Sequence, residues 1–218
     1  MKIKYNWLNH FLNFIAVILG VYLAFYINER AQINQDRSES LILMKSLVND
    51  LTEDIRVYEE FQIPTNEQYQ KDLDSLLNSL ITNNLDGIDG QFLAILSVDN
   101  YAPTTATFSS MKSSGNLKLI DDLALQKMLS DYYEGMVVES QKKGEYQVEY
   151  FTNELLHWFT MNIDFLEMKL LNTDDLIVLR NKLIIYGSLI EQKVNSYKMN
   201  VDSSKKLKTH IESILESK

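Results

Sequence analysis

The feature that most constrains this chain is an uncharged, apolar stretch close to its N-terminus. Between Tyr5 and Asn28 there is no Lys, Arg, Asp or Glu. The apolar part, Trp7 to Ile27, covers about 21 residues, and a helix of that length spans roughly 30 Å, the thickness of a bilayer core. The stretch therefore predicts a transmembrane helix over residues 7–28, preceded by a short leader of residues 1–6.

Two other interpretations of this stretch are a cleaved signal peptide and a buried core helix. The apolar run is too long for a signal peptide, and Tyr22 and Glu29 stand where a cleavage site needs small residues. A core helix of a soluble protein would carry a polar face, which this stretch lacks. An uncleaved single-pass anchor is the preferred interpretation.

The orientation of the anchor follows less directly from the charges. Lys2 and Lys4 precede it, and Arg30, Arg37 and Lys45 follow it, so the positive-inside rule alone gives no decision. A short leader before a long acidic body favours a leader that stays in the cytoplasm. The body is then expected outside the cytoplasm.

One side of the anchor carries small and polar residues. The pattern Ala16-xxx-Gly20-xxx-Ala24 lets a second helix approach closely in lipid, and Asn9 and Asn13 fall on the same side. An asparagine in hydrocarbon is costly without a hydrogen-bond partner. This face predicts association with another helix, although glycine and alanine are also common in membrane helices in general.

An exit helix is expected to continue from the anchor over residues 29–62 without a loop. An apolar heptad seam marks it, and Ile63-Pro64 is expected to end it. The seam packs either within its own chain, which is favoured, or in a coiled-coil dimer. It consists of Leu41, Met44, Val48, Leu51, Ile55 and Tyr58.

Residues 63–218 read as further helices, because apolar residues recur at helical spacing and the chain has only two prolines. A long segment from Asp121 is expected to kink at Lys142-Lys143-Gly144. The last helix carries Lys205, Lys206 and Lys208, which an up-and-down arrangement would bring towards anionic headgroups. The predicted fold is all-α: an N-terminal transmembrane helix continuing into an elongated antiparallel helical bundle.

Two stretches together resemble a family of short single-pass bacterial membrane proteins classed as a domain of unknown function. The first is AVILGVYLAFYINERAQ (16–32), although the tryptophan that the family has before its Glu is absent. The second is PTTATFSSMKSSGNLKLIDDLALQKMLSDYY (103–133). The resemblance implies this topology and no known reaction, and the inner membrane of the cell is the location expected for such an anchor. The matching positions are Gly20, Leu23, Ala24, Ile27, Asn28, Glu29, Thr105, Phe108, Met111, Ser113, Ser114, Gly115, Asn116, Leu117, Leu119, Ile120, Leu125, Leu129, Tyr132 and Tyr133.

Within the second stretch, Ser113, Ser114, Gly115 and Asn116 predict a helix corner, in which glycine takes the left-handed conformation that ends a helix. The turn itself is the simpler explanation of the motif. A polar ligand pocket beside the next helix N-terminus is the alternative, although the two acids at that N-terminus would repel an anion.

Few residues offer catalytic chemistry. The chain has no cysteine and three histidines, and Glu154-x-x-His157 is half of a di-iron motif whose second half is missing. Neither a phosphate-binding glycine loop nor a nucleophile elbow occurs. No cofactor, no metal and no enzymatic activity are expected.

The expected function is therefore that of an interaction, scaffold or accessory subunit of a membrane complex. Its expected partners are membrane lipid and either further copies of itself or another membrane protein. The net charge of −9 argues against nucleic acid. The alternative is an extracytoplasmic sensor, a helical bundle that binds a small ligand and signals through a partner.

Overall fold

The chain folds almost entirely into helices, which confirms the predicted all-α class. The structure, a computed structural model, describes residues 5–86, 88–96, 98–167, 169–172 and 175–217. Most of the predicted leader lies outside the described residues. A two-residue antiparallel hairpin, Ile163–Asp164 with Lys169–Leu170, interrupts the helices.

Eight α-helices make up the described fold. They are α1 (Tyr5–Val57), α2 (Ile63–Ile81), α3 (Ile88–Ile95), α4 (Ala106–Ser114), α5 (Leu123–Ser130), α6 (Val137–Tyr150), α7 (Leu156–Asn162) and α8 (Leu176–Glu216). π-Helical turns join α1 to α2 (Tyr58–Gln62), α5 to α6 (Asp131–Met136) and α6 to α7 (Phe151–Leu155). A 3₁₀ helix, Asn116–Leu119, follows α4.

Because the π turns keep the chain helical, the body consists of three long rods: α1–α2, α5–α7 and α8. The C-terminal half of α8 packs with α1, α4 and α5, and its N-terminal half packs with α2, α3 and α7. The rods α1–α2 and α5–α7 therefore run in the same direction, and α8 runs antiparallel to both. The bundle is elongated because each of the three rods runs along the full length of the body.

The exit helix does not end near Gln62, so the predicted boundary is wrong. In the π turn, the N–H of Ile63 donates to the carbonyl of Tyr58, five residues back. Pro64, which has no N–H and would crowd the preceding α-helical turn, falls at the start of α2. The wider π turn accommodates the proline, and the helix continues to Ile81.

The predicted seam of α1 packs within its own chain, but its register is shifted. Met44, Leu51 and Tyr58 are buried as expected, while Leu41, Val48 and Ile55 are only half-buried at its edges. Between Met44 and Tyr58 the remaining buried positions of this face are Leu47 and Asp54, and Ser40 is buried one turn before Met44. Asp54 is buried although it carries a charge.

Gly144 does not kink its helix, since α6 runs uninterrupted from Val137 to Tyr150. The glycine instead makes room for a neighbouring segment. A Cβ at this position would lie 2.0 Å from Oδ1 of Asn100. The extended chain after α3 therefore crosses α6 at a point where only glycine fits without a shift.

Candidate functional site

The apolar section of α1 is exposed along its whole length. Every side chain from Trp7 to Gln35 is exposed, including Trp7 at 72% and Phe25 at 70%. It belongs to the one helix in the described chain that is long and apolar enough to cross a membrane, and none of the apolar window is buried. A core helix of a soluble protein would be covered by its neighbours, and this section is not.

The small-residue face of this section is open. Asn9, Asn13, Ala16, Gly20 and Ala24 recur every three or four residues on one continuous helix, so they share a side. All five are exposed, and a Cβ at Gly20 would meet nothing within 4 Å. Association through this face remains a prediction.

The helix corner has the predicted backbone geometry. Gly115 has φ +74°, and its N–H donates to the carbonyl of Lys112 at 3.3 Å. The hydroxyls of Ser113 and Ser114 donate to the carbonyl of Ser110 at 3.1 and 2.8 Å. Both serines are therefore used to close the end of α4, which favours the turn over the ligand pocket.

The corner is tied to α1 and α8. Nδ2 of Asn116 donates to Oε1 of Glu39 at 2.6 Å. Asp122 caps α5 by accepting from the N–H groups of Ala124 and Leu125, and its Oδ2 lies 2.9 Å from Nε2 of His210. The Leu125 N–H and then His210 hold the pKa of Asp122 below its usual value. The corner thus fixes where the body begins on α1.

Polar side chains, most of them buried, separate the two apolar clusters of the bundle; Asn100 is exposed and Tyr101 half-buried. The cluster nearer the apolar section of α1 includes Met44, Leu47, Leu129 and Ile211. The cluster further from it includes Leu73, Phe92, Phe159 and Leu183. Between them lies a set that we call the polar layer. It comprises Asp54, Tyr58, Gln62, Asn100, Tyr101, Tyr132, Ser140, Lys193, Tyr197, Asn200 and Ser204.

Asp54 is the buried carboxylate of the polar layer, with 0% exposure. Its Oδ1 accepts from Oη of Tyr101 at 2.7 Å and from the N–H of Thr104 at 3.0 Å. Burial raises its pKa, and these hydrogen bonds oppose the shift. Asp54 therefore holds the segment between α3 and α4 against α1.

Tyrosines and amides connect the three rods across the polar layer. Nδ2 of Asn200 donates to Oη of Tyr58 at 3.0 Å and to Oγ of Ser140 at 2.8 Å. Oγ of Ser204 donates to the carbonyl of Asn200 at 2.6 Å and lies within hydrogen-bond distance, 2.9 Å, of Oη of Tyr132. Burial raises the pKa of Tyr132 to about 12. These groups stay neutral and act as a structural network.

A buried lysine on α8 holds the segment between α3 and α4, which crosses α6 and which we call the crossing segment. Nζ of Lys193, which is 0% exposed, donates to the carbonyl of Asp99 at 2.5 Å. Oη of Tyr197 donates to Oδ1 of Asn100 at 3.0 Å and accepts from the N–H of Tyr101 at 3.1 Å. Burial lowers the pKa of Lys193 to about 8, against the opposing charge of Asp99.

Sequence reasoning missed Asp54 and Lys193 as buried groups. The sequence did indicate that both could be buried. Asp54 continues the spacing of Leu47 and Leu51 on one face of α1. Lys193 lies next to Val194 on the apolar face of α8. A charged residue that interrupts an apolar phase is a candidate for a buried, paired group.

Other residues considered from the sequence do not come together. The carboxylate of Glu154 pairs with Lys182 of α8, and His157 is exposed. Lys205 pairs at 2.5 Å with Glu59 of the π turn after α1, a position about 48 Å along the helical rod from Ile27. This lysine therefore lies far from the apolar section. Within the described ranges, no group of three or more His, Asp or Glu could hold a metal ion.

A groove of about 810 Å³ runs between α4 and the π turn before α6. Phe108 and Tyr133, whose rings stack at 4.7 Å, supply its apolar surface. Lys112 and Glu134 form an ion pair across it. Its volume falls in the range of small-molecule sites, about 300–1,000 Å³.

Comparisons with known proteins give no relative from which a function could be transferred. No protein-family model matches the chain, and neither a curated protein nor a solved structure does.

Proposed function

We propose that this chain is a non-enzymatic, single-pass membrane protein whose helical body serves as an interaction, scaffold or accessory subunit of a membrane complex. The observation that carries the proposal is the continuity of α1. Its section from Trp7 to Ile27 is apolar and exposed on all sides, and the same helix enters the packed body.

Lipid is the covering that this section requires. Its large side chains include Leu19 at 60% and Tyr22 at 69% exposure, and no charged residue interrupts the surface. Apolar surface of this kind is unfavourable in water and favourable in hydrocarbon. A backbone that is helical throughout also satisfies its own hydrogen bonds, as a membrane span must.

We place the anchor in the inner membrane of a bacterial cell with the body in the periplasm. The short leader and the acidic body support this orientation, and the family resemblance supports the compartment. A reporter fused after Lys218 tests it: activity of a periplasmic reporter is expected, and activity of a cytoplasmic reporter alone would contradict the orientation.

Membrane attachment is tested by fractionating cells that express the full-length chain. The protein is expected in the membrane pellet after alkaline carbonate washing, with an intact mass that includes residues 1–30. Recovery in the soluble fraction, or a chain trimmed near residue 30, would overturn the proposal.

Association through the small-residue face is tested by Gly20→Leu. The added side chain separates the helices, and loss of close packing worth about 1–2 kcal/mol weakens association by roughly tenfold. Cross-linking in lipid bilayers measures the change, with co-isolated proteins identified by mass spectrometry. Val21→Leu, on another side of the helix, is the matched control, and equal cross-linking of both variants would contradict the use of this face.

A second candidate function is ligand sensing by the body, and the groove between α4 and α6 favours it. Tyr133 lies against this groove, and its buried Oη finds no hydrogen-bond partner in the described part of the chain. A binder would gain thermal stability with ligand. A thermal-shift screen of small molecules against the wild type and Val138→Trp, which fills the groove, separates this candidate from a pure scaffold.

A further inference from the structure

Two cavities lie along the side of the bundle where the α5–α7 rod packs against α8. The larger, about 330 Å³, has Tyr146, Tyr150, Ile185 and Leu189 in its lining. The smaller, about 20 Å³, lies further along α8. Among the described residues, these two rods alone line both cavities. We call this surface the α6–α8 face, and it consists of the cavity-lining residues between 136 and 154 and between 185 and 200.

Both cavities belong to one continuous surface, because their lining residues follow helical spacing. On α8, Ile185, Leu189 and Met199 share one side of the helix. On the α5–α7 rod the lining residues follow one another at steps of three or four, so they also share a side. These positions of the rod are Met136, Glu139, Lys143, Tyr146 and Tyr150.

Large apolar side chains are exposed along the α6–α8 face. Tyr146 is 58% exposed, Ile185 50% and Met199 58%. Tyr150 and Leu189 are half-buried beside them. Aromatic residues and methionine are enriched at protein–protein interfaces, and burial of such side chains by a partner is favourable. The composition of the face is therefore that of an interface.

Most charges of the α6–α8 face are neutralised within the chain. Nζ of Lys143 lies 2.8 Å from Oε1 of Glu139, and Lys182 pairs with Glu154. Glu149 is the remaining charged residue of the lining, so the face with Lys182 carries one net negative charge, whereas the chain carries −9. Like charges repel across an interface. This face therefore opposes contact with its own copy much less than the rest of an acidic surface does.

The area of the face is sufficient for a dimer. From residue 136 to residue 154 the rod extends about 27 Å, and two adjacent helices are together about 20 Å wide. The face thus offers about 540 Å² to a partner, and a symmetric dimer would bury about 1,100 Å² in total, above the roughly 1,000 Å² expected of a specific interface. Two copies anchored in one membrane have also lost part of the freedom that association costs.

We propose that a second copy of this chain packs on the α6–α8 face and forms a parallel dimer. Anchors in the same membrane require a twofold axis along the membrane normal, so residues meet partners at their own height. Tyr146 and Ile185 line the same cavity and lie at nearly the same height. The rotation places the α5–α7 rod of one copy against α8 of the other, and Tyr146 of each copy against Ile185 of the other. The inference rests on the proposed membrane attachment.

The test is disulfide cross-linking between full-length chains in their membrane. The chain has no cysteine, so introduced cysteines report only the chosen contact. Cells co-express Tyr146→Cys and Ile185→Cys chains with different affinity tags, and the membranes are oxidised with copper phenanthroline. Because a disulfide needs Cα atoms within about 7 Å, this pair is expected to give about fivefold more cross-linked product than Tyr146→Cys with Ile184→Cys. Ile184 is the matched control, since it is 52% exposed and turned about 100° around α8 from Ile185.

A second measurement uses charge substitutions on the same two isoleucines. Ile185→Glu replaces an apolar contact by a carboxylate and enters the dimer twice, so we expect about a hundredfold weaker dimerisation. Ile184→Glu should stay within about threefold of the wild type. Energy transfer between labelled full-length chains in lipid bilayers measures both. Thermal unfolding of each variant confirms that its body is folded.

Equal cross-linking of the two cysteine pairs, or equal dimerisation of the two glutamate variants, would overturn the dimer and leave the anchor intact. Cross-linking of Tyr146→Cys to a different polypeptide would overturn the second copy as the occupant of the face. The Tyr146–Ile185 disulfide should persist in Gly20→Leu, and its loss there would assign the contact to the anchor instead. Failure of membrane attachment itself appears separately, in the fractionation experiment.

Discussion

Two sections of the same helix have opposite relations to the rest of the chain. In α1, the section from Trp7 to Ile27 is apolar all round and entirely exposed. The section from Met44 to Tyr58 is apolar on one face, polar on the others, and packed against α8 and α5. Secondary structure is common to both, so the difference lies in the medium that each surface is built to meet.

The comparison also shows where polar groups are tolerated. In the packed section Asp54 is fully buried, and the crossing segment before α4 supplies its partners Tyr101 and Thr104. In the apolar section Asn13 has no such protein neighbour within the described chain, and its partner would have to come from a second helix or from the interface. Burial of a polar group therefore depends on what the rest of the fold brings to it.

The comparison is tested most directly by removing one leucine from each section. Leu47→Ala should lower the free energy of unfolding by about 2–5 kcal/mol, because Leu47 is 0% exposed and its loss leaves a cavity. Leu19→Ala should leave it unchanged, since Leu19 is 60% exposed and packs against no part of the body. Chemical denaturation in micelles, followed by near-ultraviolet tyrosine signals, measures both. Similar losses in the two variants would end the distinction.

A somewhat smaller effect is expected from the buried lysine of the polar layer. The pKa of Lys193 is about 8 in the folded protein and 10.5 in the unfolded chain. Between these two pH values the unfolded chain binds a proton that the folded protein has lost. Wild-type stability should therefore rise with pH relative to Lys193→Met, by about 2 kcal/mol between pH 7 and pH 9.5. Unfolding of both proteins at pH 7 and pH 9.5 measures the difference.

The control for that experiment is Lys198→Met, one turn further along α8. Lys198 is about half exposed and pairs with Glu67 at 2.7 Å. Its removal should leave the wild-type pH dependence intact. A parallel pH profile for wild type and Lys193→Met would show that the lysine is not desolvated.

Gly144→Ala tests the fit between α6 and the crossing segment. The new Cβ displaces Asn100 and breaks its hydrogen bond with Tyr197, and the higher helix propensity of alanine offsets part of the loss. We expect a net destabilisation of about 1 kcal/mol. Gly135→Ala, where a Cβ meets nothing within 4 Å, should be neutral or slightly stabilising. Equal thermal unfolding of the two variants would contradict the close approach.

The smallest effect is expected from Asp54→Asn, because an amide oxygen can replace Oδ1, which accepts from Tyr101 at 2.7 Å and from the Thr104 N–H at 3.0 Å. Only the longer contact of Oδ2 with the same N–H, at 3.2 Å, is lost. The pKa of Asp54 is raised by burial, so between 3.8 and that higher pKa the folded protein holds a proton that the unfolded chain has lost. Wild type therefore loses stability as pH rises through this interval, and the variant does not. The stability of Asp54→Asn relative to wild type should grow from pH 3 to pH 7, and a constant difference would exclude the burial effect.

Local features were predictable from the sequence. The apolar section is uniform over its length, and the left-handed Gly115 closes a helix with residues that are its immediate neighbours. Which side chains of α1 are buried was harder to predict, because Asp54 lies on the apolar face of the helix. Its hydrogen-bond partner Tyr101 lies 47 residues further along the chain. No short-range pattern carries that pairing.

The π turns were also beyond sequence reasoning. Pro64 indicated the end of a helix, since proline breaks a regular α-helical ladder. One wider turn from Tyr58 to Gln62 removes the conflict and keeps Tyr58, Gln62 and Asn66 on the buried side. Such turns are decided by tertiary packing rather than by local propensity.

The unbroken run of helix from Trp7 to Ile81, 75 residues long, makes the molecule a lever. Its part beyond Asn28 extends about 80 Å, so a 10° change in the inclination of the apolar section would move Ile81 sideways by about 14 Å. A rotation of that section about its own axis would turn the faces of the body by the same angle. The interactions that fix the orientation of the N-terminal section therefore also fix the direction in which the surfaces at the far end of the rod face.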